Sequence, residues 1–292
     1  MLLLLLFFTG FFAGTVDAIA GGGGLISLPI LLSIGMPPHL ALGTNKLQGV
    51  IGTLVATNRY YRRGLISIKT VYTGLFFGLL GAISGAIISQ LLSGKMLQTL
   101  ILFLLFIILI YTLFSPRLGH QDRNPRMHET WFYLLFGFGL GFYDGFLGPG
   151  VGSFWTISLV FFLGYNLVKA TAYTKLFNLN SSLIALVCFM FGRNVDYHIA
   201  LCMAAGQLLG GRLGASLAIE KGAELIRPLF LFVVFLTLMN FIYHRYSNAP
   251  LWIHITKQHS LALQIVIGMF IIMSVLAIYL KKMKRQAIRS DG

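Results

Sequence analysis

Long apolar runs dominate this sequence and limit the folds that it can adopt. GLFFGLLGAISGAIISQLL and LQTLILFLLFIILIYTLF each contain no charged residue, and an uncharged apolar run of about 18 residues or more can span a bilayer as a helix. Charged residues make up only 10% of the chain, against about 25% in soluble domains. The sequence therefore predicts an all-α polytopic membrane protein.

Two glycine clusters interrupt such apolar segments, GGGG at residues 21–24 and GPGVG at residues 148–152. Non-helical backbone at membrane depth is tolerated only where it is buried in protein or lines a wet cavity. Each cluster therefore predicts a broken helix, whose second half begins with a positive dipole end and free N–H groups that suit an anion. The alternative is a glycine-lined hairpin that only allows close helix packing.

The chain repeats its motifs in order, which indicates a duplication. GFFAGTVDAIAGGGG aligns with GFGLGFYDGFLGPGVG, GTNKL aligns with AYTKL, and a later glycine pair recurs as well. The matched pairs are Gly10 with Gly137, Gly14 with Gly141, Asp17 with Asp144, Gly21 with Gly148, Gly23 with Gly150, Lys46 with Lys175, Gly81 with Gly210, and Gly85 with Gly214.

We expect a single transmembrane domain over residues 1–292, with no polar linker long enough to divide it. Repeat 1 covers about 2–115, a loop about 116–130, repeat 2 about 131–245, and an extra helix and basic tail 250–292. Each repeat is predicted to hold a glycine-broken segment and three helices, within the usual boundary error of two to four residues. The broken segments are about 2–35 and 131–164; the helices are about 40–58, 70–92, 96–115, 167–190, 197–219 and 225–244, with the extra helix at about 261–280.

The net charge of +14 would suggest nucleic acid in a soluble protein, but here it indicates basic cytoplasmic loops. Basic residues concentrate near 59–69, near 117–126 and in the tail at 281–289. These three regions share one side only if each broken segment enters and leaves on the same side. Each half then crosses an odd number of times, so we predict inverted repeats, an outside N-terminus and a cytoplasmic C-terminus.

The motifs resemble those of the TauE/SafE family of permeases, also called the sulfite/organosulfur exporter family. GFFAGTVDAIAGGGGLISLP with ALGTNKLQ, and GFYDGFLGPGVGSF with KATAYTKLFN, carry the resemblance over about residues 8–245. It implies transport of small anions, often sulfonates, sulfite or sulfur-containing carboxylates, in a bacterial inner membrane. Residues 250–292 lie outside the motif region, and the family alone does not fix the substrate.

Lys46 and Lys175 are the strongest individual candidates for a site, since an ionisable group inside a membrane segment is costly. Two lysines at matched repeat positions would flank one cavity and attract an oxyanion; snorkelling to the interface is the alternative. Polar neighbours at helical spacing, together with the glycines of the breaks, would complete the site or merely join helices. These further candidates are Thr44, Asn45, Gln48, Thr174, Asn178, Gly22, Gly23, Gly24, Gly150 and Gly152.

Asp17 and Asp144 precede the two breaks. Each would cap a half-helix or hold the facing lysine, with a proton-carrying role as the alternative. Arg212 lies between small residues of GQLLGGRLGAS and would pair with an anion or with Asp144; its matched position is Ile83, so this feature is not symmetric.

The sequence favours a secondary transporter for a small anion, a sulfur-containing oxyanion or organosulfonate, working by alternating access. An anion channel or a membrane scaffold is the alternative. No catalytic constellation, P-loop or metal-ligand spacing stands out, so we expect no enzyme activity, no catalytic residue, no cofactor and no metal. The expected partners are the anion and the bilayer, with protons or another coupling ion left open, and no nucleic acid; the oligomeric state is unknown.

Overall fold

The computed structural model describes residues 2–68, 71–101, 103 and 122–221, all within one compact unit, Met1–Thr237. These residues form helices and connecting turns, with no strand among them, which confirms the all-α prediction. The helices predicted at about 225–244 and 261–280, the basic tail and most of the helix at about 96–115 lie outside the described residues.

The first half contains a broken segment and two long helices. Helix α1 is Leu2–Ala20, α2 is Gly24–Ser33, α3 is Pro38–Arg62 and α4 is Tyr72–Leu91. Proline occupies the first helical position of α3, where its missing N–H has no intrahelical partner to lose. Residues 94–101 are helical too.

The second half repeats this order. Helix α5 is Glu129–Phe132, a π-helical turn follows at Tyr133–Gly137, and α6 is Phe138–Phe146. After the break come α7, Val151–Phe162, α8, Leu167–Phe191, and α9, Tyr197–Lys221. The long helices begin and end within about four residues of their predicted bounds.

Three of the described helices are long and apolar enough to cross a membrane: Leu2–Ile19, Tyr72–Leu91 and Leu167–Phe191. Helices α2 and α7 are apolar but have only 10 and 12 residues. At 1.5 Å per residue they extend over about 15–18 Å, which is roughly half of a hydrocarbon core. The broken segments therefore contain half-length helices.

Glycines let α1 lie directly against α9. A Cβ on Gly10 would overlap the backbone of Met203, and one on Gly14 would overlap Gln207. In return, Gly210 of α9 faces the Phe11 carbonyl of α1. The partners advance together along both helices, so α1 and α9 run parallel, with the close backbone approach typical of small-residue membrane interfaces.

The same contact occurs a second time between α4 and α6. A Cβ on Gly81 would overlap the Phe138 carbonyl, and one on Gly141 would overlap the backbone of Gly78. These positions match those of the α1–α9 contact, since Gly81 corresponds to Gly210 and Gly141 to Gly14. Each broken segment is thus packed on a long helix of the other half.

Further contacts give the directions of the remaining long helices. Tyr60 Oη donates to the Ala18 carbonyl at 3.1 Å, which joins the ends of α3 and α1. Asn180 Nδ2 donates to the Leu75 carbonyl at 2.8 Å, near the middle of α8 and the start of α4, while Gln90 near the end of α4 reaches the Cys188 carbonyl at 3.3 Å. His39 Nε2 lies 3.0 Å from the Leu92 carbonyl, so α3 starts where α4 ends. Helices α1, α3 and α9 therefore run one way, and α4, α6 and α8 run the other.

Candidate functional site

The two predicted helix breaks are present, and they touch each other. Gly21 and its matched residue Gly148 both have positive φ, +76° and +93°, a conformation that glycine adopts without strain. A Cβ on Gly21 would overlap Gly152 of the other break, and one on Gly24 would lie 3.3 Å from Pro149 Cα. The positive ends of α2 and α7 therefore meet at one place.

Beside this contact, Lys46 of α3 is paired with Asp144 of α6. Lys46 Nζ lies 2.6 Å from Asp144 Oδ1 and also donates to the Asp144 backbone carbonyl. Ser181 and Ser182 of α8 donate to Asp144 Oδ2 at 2.5 and 2.8 Å. Only 4% of the lysine side chain and 2% of the aspartate side chain are exposed, so this is a buried and fully bonded ion pair.

The matched residues form a second pair, Lys175 of α8 with Asp17 of α1. Lys175 Nζ lies 3.1 Å from Asp17 Oδ2, and Thr53 of α3 donates to the same oxygen at 3.2 Å. The Gly23 N–H at the start of α2 reaches Asp17 Oδ1 at 3.4 Å. Each lysine is therefore held by the aspartate of the other half, and both lysines are buried rather than extended to an interface.

A small polar cavity lies between the breaks and the two ion pairs. It leaves about 40 Å³ for the centre of a water-sized molecule, several times the 10–15 Å³ or so that one water needs. Nine of the predicted site residues line it: Asp17, Gly23, Gly24, Asn45, Lys46, Gln48, Asp144, Gly150 and Asn178. The cavity lining thus brings together predicted site residues from both halves of the chain.

Other predicted residues lie outside the cavity lining, and their contacts join helices. Thr44 Oγ1 accepts from the Asp196 N–H at 2.9 Å, and Thr174 Oγ1 lies 3.0 Å from Thr156 Oγ1. Lys175 contacts the cavity lining through Asp17. Gly22, Gly152 and Arg212 also lie outside the lining.

The expected pairing of Arg212 with Asp144 is not formed. Arg212 is exposed on α9, while Lys46, Ser181 and Ser182 occupy the Asp144 carboxylate. The glycines around Arg212 do face α1, as the small-residue pattern predicts. The glycines lie on the face of α9 that packs on α1, and the arginine lies on the exposed face of the same helix.

Gly49, Thr53, Ser182 and Gln207 also line the cavity but are not among the site residues predicted from the sequence. A signal existed for two of them, because Thr53 and Ser182 each lie two helical turns after the lysine of their half. Gln207 could not be found in this way. It reaches the cavity from α9 because Gly14 lets the Gln207 backbone approach α1 and Gly52 leaves room for the Gln207 side chain.

The starts of both half-helices line the cavity and contain backbone donors without a partner in the described part of the chain. Among the described residues no acceptor is found for the N–H groups of Gly24 and Gly150, both of which line the cavity. Three side-chain oxygens of the lining also lack a partner there, those of Gln48, Asn178 and Gln207. Buried polar groups are normally satisfied, so these atoms indicate a place for a polar ligand.

A known family and several known proteins are similar to this chain over most of its length. The model of the sulfite exporter TauE/SafE family matches residues 6–241. A probable membrane transporter protein of Haemophilus influenzae is 40% identical over 242 residues, 83% of this chain and 95% of the relative. The probable membrane transporter protein YfcA of Escherichia coli K12 is 41% identical over 233 residues, 80% and 87% of the two chains. No solved structure matches the chain.

Proposed function

Because the chain belongs to the sulfite exporter TauE/SafE family of membrane transporters, we propose that it is a secondary transporter for a small anion, a sulfur-containing oxyanion or organosulfonate. The observation that carries this proposal is the polar cavity between two matched helix breaks, lined by glycines of both breaks whose N–H groups have no acceptor among the described residues. Its relatives carry the names of membrane transporters as well, and such names suit a carrier better than an enzyme.

The electrostatics of the cavity favour an anion held mainly by backbone. Each lysine charge is balanced by an aspartate, so neither ion pair leaves net charge at the site. The N–H groups of Gly24 and Gly150 lie at the N-terminal ends of half-helices, where the helix dipole attracts an anion. A sulfur oxyanion presents several acceptor oxygens in a small volume, which matches a cavity of this size.

We further propose that the two halves are inverted repeats and that they move against each other by alternating access. The opposite directions of α1, α3 and α9 against α4, α6 and α8 support the inversion. The Lys46–Asp144 and Lys175–Asp17 pairs each join one half to the other beside the cavity. A small rotation of the halves about these contacts would open the cavity to one side and then to the other.

The proposed orientation in a bacterial inner membrane has an outside N-terminus and a cytoplasmic C-terminus. Arg59, Arg62 and Arg63 lie at the end of α3. Arg123 and Arg126 lie near the start of α8, whose Tyr173 hydroxyl accepts from the Ser67 N–H at 3.2 Å. The two basic loops thus share one end of the helices, and the positive-inside rule makes that end cytoplasmic.

A flux experiment tests the transporter function. The full chain would be reconstituted into liposomes, and uptake of sulfite, thiosulfate, a sulfonate and a carboxylate would be measured against their concentration. Gly49 lines the cavity and a Cβ there meets no atom within 4 Å, so Gly49→Val should fill the cavity and reduce uptake at least tenfold. Gly139→Val is the matched control, since Gly139 is an exposed helical glycine with equally open space.

The outcomes separate the candidate functions. Saturable uptake of a sulfur oxyanion or sulfonate that Gly49→Val abolishes and Gly139→Val retains would support the transporter. Uptake that rises linearly with concentration would indicate an anion channel instead. A scaffold would show no uptake of any anion, with the same result in both variants.

A further inference from the structure

We propose that the cavity also contains a cation site, formed at the Asp17 carboxylate and fitted to a small monovalent cation of sodium's size. The site is distinct from the backbone donors of the breaks, because its ligands are side-chain oxygens from α1, α3, α8 and α9. Binding of the cation is inferred from these residues only and does not depend on transport. Its use as the coupling ion of transport rests on the proposed function.

The two aspartates differ in how many of their oxygens are used. Both Asp144 oxygens are occupied, Oδ1 by Lys46 and Oδ2 by Ser181 and Ser182. Asp17 places Lys175 and Thr53 on Oδ2 and has only the Gly23 N–H, at 3.4 Å, on Oδ1. Its side chain is 14% exposed, against 2% for Asp144. Asp17 Oδ1 therefore keeps lone pairs for a ligand.

The inequality has two sources: Lys175 shares Oδ2 with Thr53 whereas Lys46 has Oδ1 to itself, and one matched position differs in sequence. Thr53 and Ser182 are matched residues and make matched hydrogen bonds to the aspartates. Ser181 adds a second hydroxyl to Asp144, but the matched residue in the first half is Gly52. The space over Gly52 is filled by the Gln207 side chain, which brings an amide where the other pair has a hydroxyl.

Three residues that line the same cavity, Gln48, Asn178 and Gln207, have a buried amide oxygen with no donor among the described residues. These side chains are 1%, 5% and 1% exposed. Each of the three lies close in the structure or along a helix to a residue beside Asp17. Gln207 packs on Gly52, which is next to Thr53. Gln48 lies about one turn before Gly52 on α3, and Asn178 lies about one turn after Lys175 on α8. The Asp17 end of the cavity therefore has a surplus of acceptors.

Amide and carboxylate oxygens with no donor opposite them are the ligands that hard cations take. A proton could satisfy one such oxygen, whereas a sodium-sized ion can contact several oxygens at once. Lys175 limits the total charge, since it already neutralises Asp17 from the Oδ2 side, which favours a monovalent over a divalent ion. With N–H donors at the breaks and acceptors around Asp17, one cavity can hold an anion and a cation together.

The test measures cation-dependent stability of the purified full chain with no sulfur anion present. Thermal unfolding in detergent would be followed as sodium chloride replaces N-methyl-D-glucamine chloride at constant chloride, in one series at neutral pH and one at a lower pH, with potassium chloride as a third arm. Gln207→Met removes the amide at nearly constant volume. Gln90→Met is the matched control, since Gln90 bonds to Cys188 and Asn194 away from the cavity. Asp17→Asn is a second variant at the site.

The proposal expects a saturable rise of the unfolding midpoint with sodium, kept by Gln90→Met and at least tenfold weaker in apparent affinity in Gln207→Met. No sodium-specific rise in the wild type, or an equal rise in Gln207→Met, would overturn the cation site. Stabilisation by lower pH without sodium dependence would overturn it too, in favour of a proton on Asp17. A sodium effect without anion flux would leave the cation site standing and count against the transporter alone.

Discussion

Lys46 and Asp144 show how a charge is kept inside an apolar helix bundle. Each of the two groups is almost completely buried, and every oxygen of the carboxylate has a donor. Removing one partner of a buried ion pair costs far more than removing both, because the remaining charge stays in a low dielectric. The pair is therefore a strong constraint on the sequence even where it contributes little net stability.

Lys46→Met should destabilise the protein by about 3–5 kcal/mol, the usual cost of a buried charge without its partner. Lys46→Met with Asp144→Asn should recover most of that loss. Thermal and denaturant unfolding in detergent would measure both variants. The matched change Lys175→Met should cost less, because Asp17 is the more exposed aspartate; an equal or larger loss would contradict this ranking.

Gly148→Ala should be more harmful than Gly35→Ala. Both glycines have positive φ, +93° and +87°, so both alanines carry a strain of about 1–2 kcal/mol. A Cβ on Gly148 would also lie 2.6 Å from Lys46 Nζ, whereas one on Gly35 meets nothing within 4 Å. The difference between the two unfolding midpoints therefore reports displacement of the Lys46–Asp144 pair, and equal midpoints would mean that the lysine moves without cost.

At the scale of elements, the two halves are joined by glycine contacts that recur at matched positions. Gly210 lets α9 approach α1, and Gly81 lets α4 approach α6. The repeated motifs contain these glycines, but a motif does not specify which helix each glycine faces. That partner is set by the packing of the whole bundle, in which each broken segment lies on a helix of the other half.

Gly210→Ala and Gly81→Ala should both lower the unfolding midpoint, because the added Cβ would overlap a backbone carbonyl that cannot turn aside. Gly139→Ala is the control, since it meets no atom within 4 Å and should raise stability by about 0.5–1 kcal/mol through helix propensity. Unfolding of the three variants in one detergent gives the comparison. A loss in only one of the two contacts would show that they are not equivalent.

The loop before α5 is held to the start of α8 by Asp122. Its Oδ1 accepts from the Asn166 N–H at 2.6 Å and from Asn166 Nδ2 at 2.8 Å. The bond from the Asn166 backbone lowers the pKa of Asp122, and Lys169 lowers it further against the opposing effect of burial. Asn166 also caps α8 by accepting from the Lys169 N–H, so the loop and the helix start are stabilised together.

Because the folded state lowers the Asp122 pKa, this contact stabilises the protein above the usual aspartate pKa and is lost as pH falls through the lowered value. The protection of amide hydrogens at the start of α8, measured against their intrinsic exchange rates at each pH, should therefore fall in acid in the wild type. Asp122→Asn should exchange faster at neutral pH and lose that part of the pH dependence. If the pH dependence of exchange were unchanged in Asp122→Asn, another titrating group would be its cause.

At the scale of the whole molecule, both basic loops of the described residues lie at one end of the helices. The contact between Tyr173 and the Ser67 N–H joins the loop after α3 to the start of α8. The contact between His39 and the Leu92 carbonyl marks the other end. The proposed orientation puts the end with the basic loops in the cytoplasm, as the positive-inside rule requires.

Cysteine labelling in intact bacterial cells checks this orientation. In a background without Cys188 and Cys202, Asn124→Cys should react with a membrane-impermeant maleimide only after permeabilisation, while Ser93→Cys should react in intact cells. Both positions are exposed and lie at opposite ends of the helices. The reverse pattern would place the basic loops outside and overturn the proposed topology.

The amino-acid pattern is enough to predict the helical class, the positions of the two breaks and many of the residues around them. Apolar runs, glycine clusters and matched motifs carry that information locally, and they single out Asp17, Lys46, Asp144 and Lys175. The partners of these residues depend on the packing of the whole bundle. It crossed the ion pairs between the halves, turned Arg212 outward, brought Gln207 over Gly52 and left one carboxylate oxygen of Asp17 open. Helical spacing fixes which residues share a face, but the neighbour of that face depends on how distant segments pack, and no local pattern encodes it.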